Sequence, residues 1–103
     1  MFALKQQDRE WLRAFCERWE ITELALFGSA LTDKFRADSD IDILVTFASD
    51  AVWSLLHHVE MQEEIHAYFG RPVDLVSRHA LERSANPLRK QNILTSAEVV
   101  YAA

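Results

Sequence analysis

LALFGSALTDKFRADSDIDILVTF, from Leu24 to Phe47, decides how the rest of this chain is read. Ile21 to Phe27 is β-branched at its start and apolar at its end, and it stops at Gly28, as a strand stops where the backbone must turn sharply. Ile41, Ile43, Leu44, Val45 and Phe47 form a second strand pattern, alternating at its start with Asp40 and Asp42. Residues two apart on a strand share a face, so both carboxylates are expected to project to the same side. Between the strands, Ala30 to Ser39 is mixed and charged, with Thr32, Asp33, Asp38 and Ser39 suited to turns or caps.

Outward from this centre, Gln6 to Trp19 places Trp11, Leu12, Phe15, Cys16 and Trp19 on one helical stripe. Val52 to Phe69 predicts a second, longer helix, with Val52, Leu55, Leu56 and Val59 on one arc and Met61, Ile65, Tyr68 and Phe69 on the next. Gly70 is its natural C-terminal cap and Pro72 discourages continuation. A third strand, Val73 to Val76, carries Asp74 among apolar neighbours. A helical turn over Leu81 to Ser84, a helix opening at Asn86-Pro87 and running through Leu88 to Ser96, and a last strand from Glu98 to Tyr101 complete the order. The fold class is therefore α/β (α+β), a small mixed sheet of about four strands backed by helices. Strand order is not readable from the sequence.

Length and composition set the bounds. At 103 residues, the whole chain, 1–103, is expected to form one domain. A hydrophobic fraction of 50 % and a charged fraction of 26 % suit a globular core. The formal charge of −5 argues against a nucleic-acid surface, which needs clustered Lys and Arg. Cys16 alone cannot form an internal disulfide, and there is neither a leader pattern nor an apolar run of membrane length, so a reducing, cytoplasmic setting without membrane contact is expected. Cys16 reads as core, and His57, His58, His66 and His79 lack zinc-like spacing and read as surface or packing residues. Trp11, Trp19, Trp53, Tyr68 and Phe69 are more large aromatics than so short a chain readily buries, which leaves some for an interface.

Paired carboxylates on one strand face can hold divalent cations, and magnesium favours such oxygens together with substrate phosphates. Gly28 lets a backbone approach phosphate oxygens, and the N–H and hydroxyl of Ser29 can donate to them. Each fragment has a plainer reading: Asp38-Ser39-Asp40 as a solvated turn and cap, Asp74 as an edge-strand acid facing water. The constellation weighs against both, because an unpaired Asp42 between Ile41 and Ile43 would be costly without a cation.

Gly28-Ser29, ten intervening residues, then Asp40-Ile41-Asp42 resembles the G-S-x10-D-x-D signature of minimal nucleotidyltransferases (MNT) of the DNA polymerase beta superfamily. PVDLV at Pro72 to Val76 and the tail NPLRKQNILTSAEVVY extend the resemblance over most of the chain. It implies a nucleotidyltransferase fold and an ATP site. Asp40, Asp42 and Asp74 would be catalytic and hold two Mg²⁺ ions, Gly28 and Ser29 would bind the nucleotide, and Asp74 would ligate metal or activate the acceptor hydroxyl. Proteins similar to this one are often antitoxins that attach AMP to a tyrosine of a HEPN-type ribonuclease toxin encoded nearby, which implies a Mg-dependent protein adenylyltransferase and such a partner here. One departure stands out. Ala30, Leu31, Thr32 and Asp33 follow the Gly-Ser pair where many relatives carry arginine, and Lys34 or Arg36 would have to compensate. Two alternatives remain: a non-catalytic nucleotide-binding module that neutralises its partner by complex formation, and a nucleotidyltransferase for an aminoglycoside-like small molecule.

Overall fold

The computed structural model describes residues 2–103. Helix α1 (Gln6–Arg18) leads into β1 (Ile21–Phe27), a short 3-10 turn (Gly28–Leu31) and β2 (Ile41–Phe47). Helix α2 (Leu55–Phe69), β3 (Val73–Ser77), the short α3 (Arg78–Glu82), α4 (Pro87–Ser96) and β4 (Glu98–Ala102) follow. The mixed sheet has the order β3-β2-β1-β4: β1 pairs antiparallel with β2 and β4, while β2 and β3 run parallel. A parallel pair cannot be closed by a tight turn, and α2 provides the crossover.

The alternation of the strands sorts the core into two layers. Ile41, Ile43 and Val45 of β2, Leu24 and Leu26 of β1, and Val73 and Leu75 of β3 face α1 and α2, where Leu12, Phe15, Cys16, Met61 and Ile65 meet them. Burial pushes the Cys16 thiol up to about 12, with the Glu17 charge adding to it, so it stays protonated and behaves as a core residue. On the opposite face the cover is thinner: Ala25, Phe27 and Leu44 pack with Leu81 of α3 and Ile93 of α4, with the partly buried Val76, Leu94 and Ala97 against them. That half-covered face matters for the site.

The aromatics are mostly used internally. Trp11 stacks on Tyr68 at 4.3 Å and on Phe15 at 5.3 Å, and Trp53 packs edge-on to Trp19 while its Nε1 donates to the Trp19 carbonyl at 2.9 Å. Helix α2 starts at Leu55, three residues later than its pattern predicts, because Ser54 caps it by accepting from the His57 backbone N–H. The two apolar arcs then have different fates. Met61 and Ile65 are fully buried, whereas Val52, Leu55 and Leu56 lie in solvent, 67–87 % exposed. Among the described residues no helix is long and apolar enough to cross a membrane.

Gly70 closes α2 as expected, in the left-handed region (φ +70°), donating its N–H to the His66 carbonyl. Nothing lies within 4 Å of where a Cβ would stand. Gly70→Ala should therefore cost only the left-handed strain, about 1–2 kcal/mol. For a chain of this size that is a fall in Tm of roughly 4–8 °C per kcal/mol, measurable by thermal denaturation.

Candidate active site

Asp42 stands one residue into β2, opposite Phe27 of β1 and level with Asp74 of β3. Because β2 and β3 run parallel in this register, Asp42 and Asp74 are neighbours on one face of the sheet, the face shared with Leu44 and Val76 and only thinly covered. Asp40 precedes β2 by one residue and is exposed, as is Asp74, whereas Asp42 is half-buried. Among the described residues no charged side chain is fully buried, so the cost that the sequence assigns to Asp42 is reduced by its partial access to water.

Gly28 closes the site from the β1 side. Its φ of +71° turns the chain directly after Phe27, and its α-carbon lies against the Asp42 side chain. A Cβ here would overlap Asp42 Oδ2 and stand 3.3 Å from its Cγ. Only glycine lets backbone and carboxylate come this close. Ser29 follows, half-buried, in a 3-10 turn of four residues rather than a longer helix. Its carbonyl accepts from the Thr32 N–H and Thr32 Oγ1, both at 3.0 Å, and among the described residues its hydroxyl makes no hydrogen bond. Ala30 is wholly buried.

The electrostatics of the site are strained by like charge. Burial first, then the carboxylates of Asp74 and Asp40, push Asp42 above its ordinary value, and the Arg89 guanidinium opposes them. A raised carboxyl favours the protonated folded state. Its contribution to stability is present at acid pH and is lost as pH rises through the carboxylate range. At neutral pH the site is repulsive to itself and attractive to a cation.

Among the described residues no three carboxylate, imidazole or thiol groups converge into a cage that would hold a metal unaided. Magnesium does not require one, since it is commonly held by one or two carboxylates, waters and substrate phosphates. Two adjacent, exposed-to-half-buried carboxylates that repel one another fit that donor chemistry, with Asp40 within electrostatic reach.

The remaining residues sort themselves by contact. His58 Nε2 lies 2.8 Å from the Leu75 carbonyl and His57 joins the α2 cap, the packing roles expected of them. Arg71 donates to the Arg36 and Ser39 carbonyls and lies over Phe35, tying the Ala30–Ser39 loop to the start of β3. Arg89 was not singled out by motif or spacing; its signal is the four-residue step to Ile93 on a helix whose apolar positions are few. A cavity of about 840 Å³ opens at the other end of β2 and β3 between Thr46, Trp53, His58 and Arg78. It holds no paired carboxylates, and Arg78 is already bridged to Glu23 and Glu82, so its size does not outweigh the chemistry at Asp42.

Residues 8–100 match the sequence model of the nucleotidyltransferase domain. The chain is 39 % identical to the protein adenylyltransferase MntA of Thermococcus cleftensis over 66 residues, which are 64 % of this chain and 65 % of that protein. In three dimensions it resembles a chain of a solved toxin–antitoxin complex with AMP-PNP, at a TM-score of 0.72 and 21 % identity, covering 93 % of this chain and 74 % of the other. It also resembles a chain of a solved complex of tri-AMPylated Shewanella oneidensis HEPN toxin with MNT antitoxin, at a TM-score of 0.65 and 20 % identity, over 97 % and 74 % of the two chains.

Proposed function

Since this chain belongs to the nucleotidyltransferase-domain family, we propose that it transfers AMP from ATP to a hydroxyl of a partner protein, acting as the antitoxin of a HEPN-type ribonuclease toxin. The observation that carries this reading is the triangle at the half-open sheet face: Asp42 beside Asp74, with the Gly28 backbone against the Asp42 carboxylate. The MntA relative, named a protein adenylyltransferase, supports the reaction, and the complex containing an AMPylated HEPN toxin supports the partner.

In the reaction the acceptor oxygen attacks the α-phosphorus, the bond to the bridging oxygen breaks, pyrophosphate leaves, and the hydroxyl proton is released. Asp42 and Asp74, with Asp40, would hold Mg²⁺, which when bound neutralises the triphosphate and the charge growing on the leaving pyrophosphate. Gly28 leaves the phosphates a path to the backbone, and Ser29 offers an N–H and an unengaged hydroxyl to them. Asp74, the more exposed of the strand pair, would ligate metal or take the acceptor proton. The open face suits an acceptor brought in by another molecule. Val52, Leu55 and Leu56, apolar and in solvent, are a surface that a partner would cover.

The test combines the purified protein, labelled ATP, Mg²⁺ and the HEPN-type protein encoded beside it, with the label located by mass spectrometry. AMP on a tyrosine of the partner is expected. The lack of a cation directly after Gly28-Ser29, where Ala30 is buried, favours a second reading in which the protein only binds and neutralises. Suppression of the partner without transfer of label would establish that reading instead.

A further inference from the structure

Ala30, Leu31, Thr32 and Asp33, which directly follow Gly28-Ser29, supply no positive charge, yet a triphosphate with four negative charges at neutral pH must be gripped beside three carboxylates. The structure brings a cation to this place from the far end of the chain. Helix α4 is set by Pro87 in its first turn and by Asn86, whose side chain accepts from the Arg89 N–H at 3.2 Å. Its one buried residue, Ile93, packs with Phe27 and Leu44. Phe27 is the strand partner of Asp42 and the residue before Gly28, and Leu44 is two residues from Asp42 on the same face. Arg89 lies four residues before Ile93, on the same side of the helix. The helix side that seats on the sheet thus also carries Arg89 toward the carboxylate face.

The other arginines with assigned contacts are occupied elsewhere. Arg13, Arg18 and Arg78 pair with glutamates, and Arg71 is engaged with loop carbonyls and Phe35. Arg89 is exposed and, among the described residues, makes no salt bridge. Its planar fork suits two phosphate oxygens at once.

We propose that Arg89, carried by α4, is a phosphate-binding cation of this site. The inference rests on the nucleotide-site reading above, but its test needs no acceptor. ATP and adenosine binding are measured with Mg²⁺ by competition against a fluorescent ATP analogue, for the wild type, Arg89→Ala and Arg89→Lys. Arg89→Ala should weaken ATP about tenfold or more, adenosine less than twofold, and Arg89→Lys should recover part of the loss. The salt dependence of ATP binding should flatten in Arg89→Ala. Unchanged ATP affinity, or an equal loss for ATP and adenosine, overturns the proposal. Because Arg89 is exposed, its replacement leaves the core intact, and retained adenosine binding confirms folding. A wild type that binds ATP without transferring AMP would refute the adenylyltransferase reading and leave the Arg89 result standing; a wild type that binds no ATP overturns both.

Discussion

Asp42→Asn is expected to lower AMP transfer by on the order of 10³-fold while leaving the protein folded, and in the metal-free state at neutral pH no less stable than the wild type. The two halves of this result come from one cause. Asp42 is half-buried beside Asp74 and near Asp40, so its charge is disfavoured in the folded protein. Asparagine keeps the shape and removes the repulsion. The wild type loses this contribution as pH rises through the carboxylate range, so the advantage of the variant should appear above that range and vanish below it. Mg²⁺ should raise the Tm of the wild type at neutral pH by mass action and do so much less for the variant. Transfer measured with labelled ATP and melting measured with and without Mg²⁺ separate the cases. If Asp42→Asn were strongly destabilised without metal, Asp42 would be a structural acid and the site reading would fall.

The acids at the start of β2 were legible because two signals coincide there: an apolar alternation that marks a strand, and Asp40 and Asp42 at its start with ten residues between Gly28-Ser29 and the first of them. The relation of Asp42 to Asp74 was not. It depends on β2 and β3 being parallel and adjacent in one register, and no local pattern specifies which strands of a sheet meet. The apolar arc of Val52 to Val59 pointed to a helix yet could not say what covers it, since a buried arc and an exposed one have the same spacing; Met61 and Ile65 are buried and Leu55 is not. The helix boundary moved for a local reason, the Ser54 cap. Arg89 escaped notice because its meaning is wholly tertiary: a polar residue on a mostly polar helix, brought to the site only because Ile93 docks on Phe27 and Leu44.

The replacement of Gly28 by alanine tests whether the closeness of backbone and carboxylate is itself functional, and a comparison with Gly70 isolates it. Both glycines have nearly the same backbone, φ +71° and φ +70°, so both alanine variants carry the same left-handed strain of about 1–2 kcal/mol. They differ in what the methyl meets. At Gly70 it enters open space; at Gly28 it overlaps Asp42 Oδ2, the end of a short side chain that can escape only by turning off its position beside Asp74. Gly70→Ala should therefore leave transfer within about twofold of the wild type, while Gly28→Ala should lower it by on the order of 10²-fold, because a displacement of about 1 Å at reacting groups costs that much. If the loss at Gly28 acts through the carboxylate, it disappears once Asp42 is already asparagine. The double variant Gly28→Ala/Asp42→Asn should then transfer no more slowly than Asp42→Asn alone, a non-additivity expected of groups in direct contact. Losses that simply multiply would mean that Gly28 serves the nucleotide independently of Asp42, through the phosphate path alone.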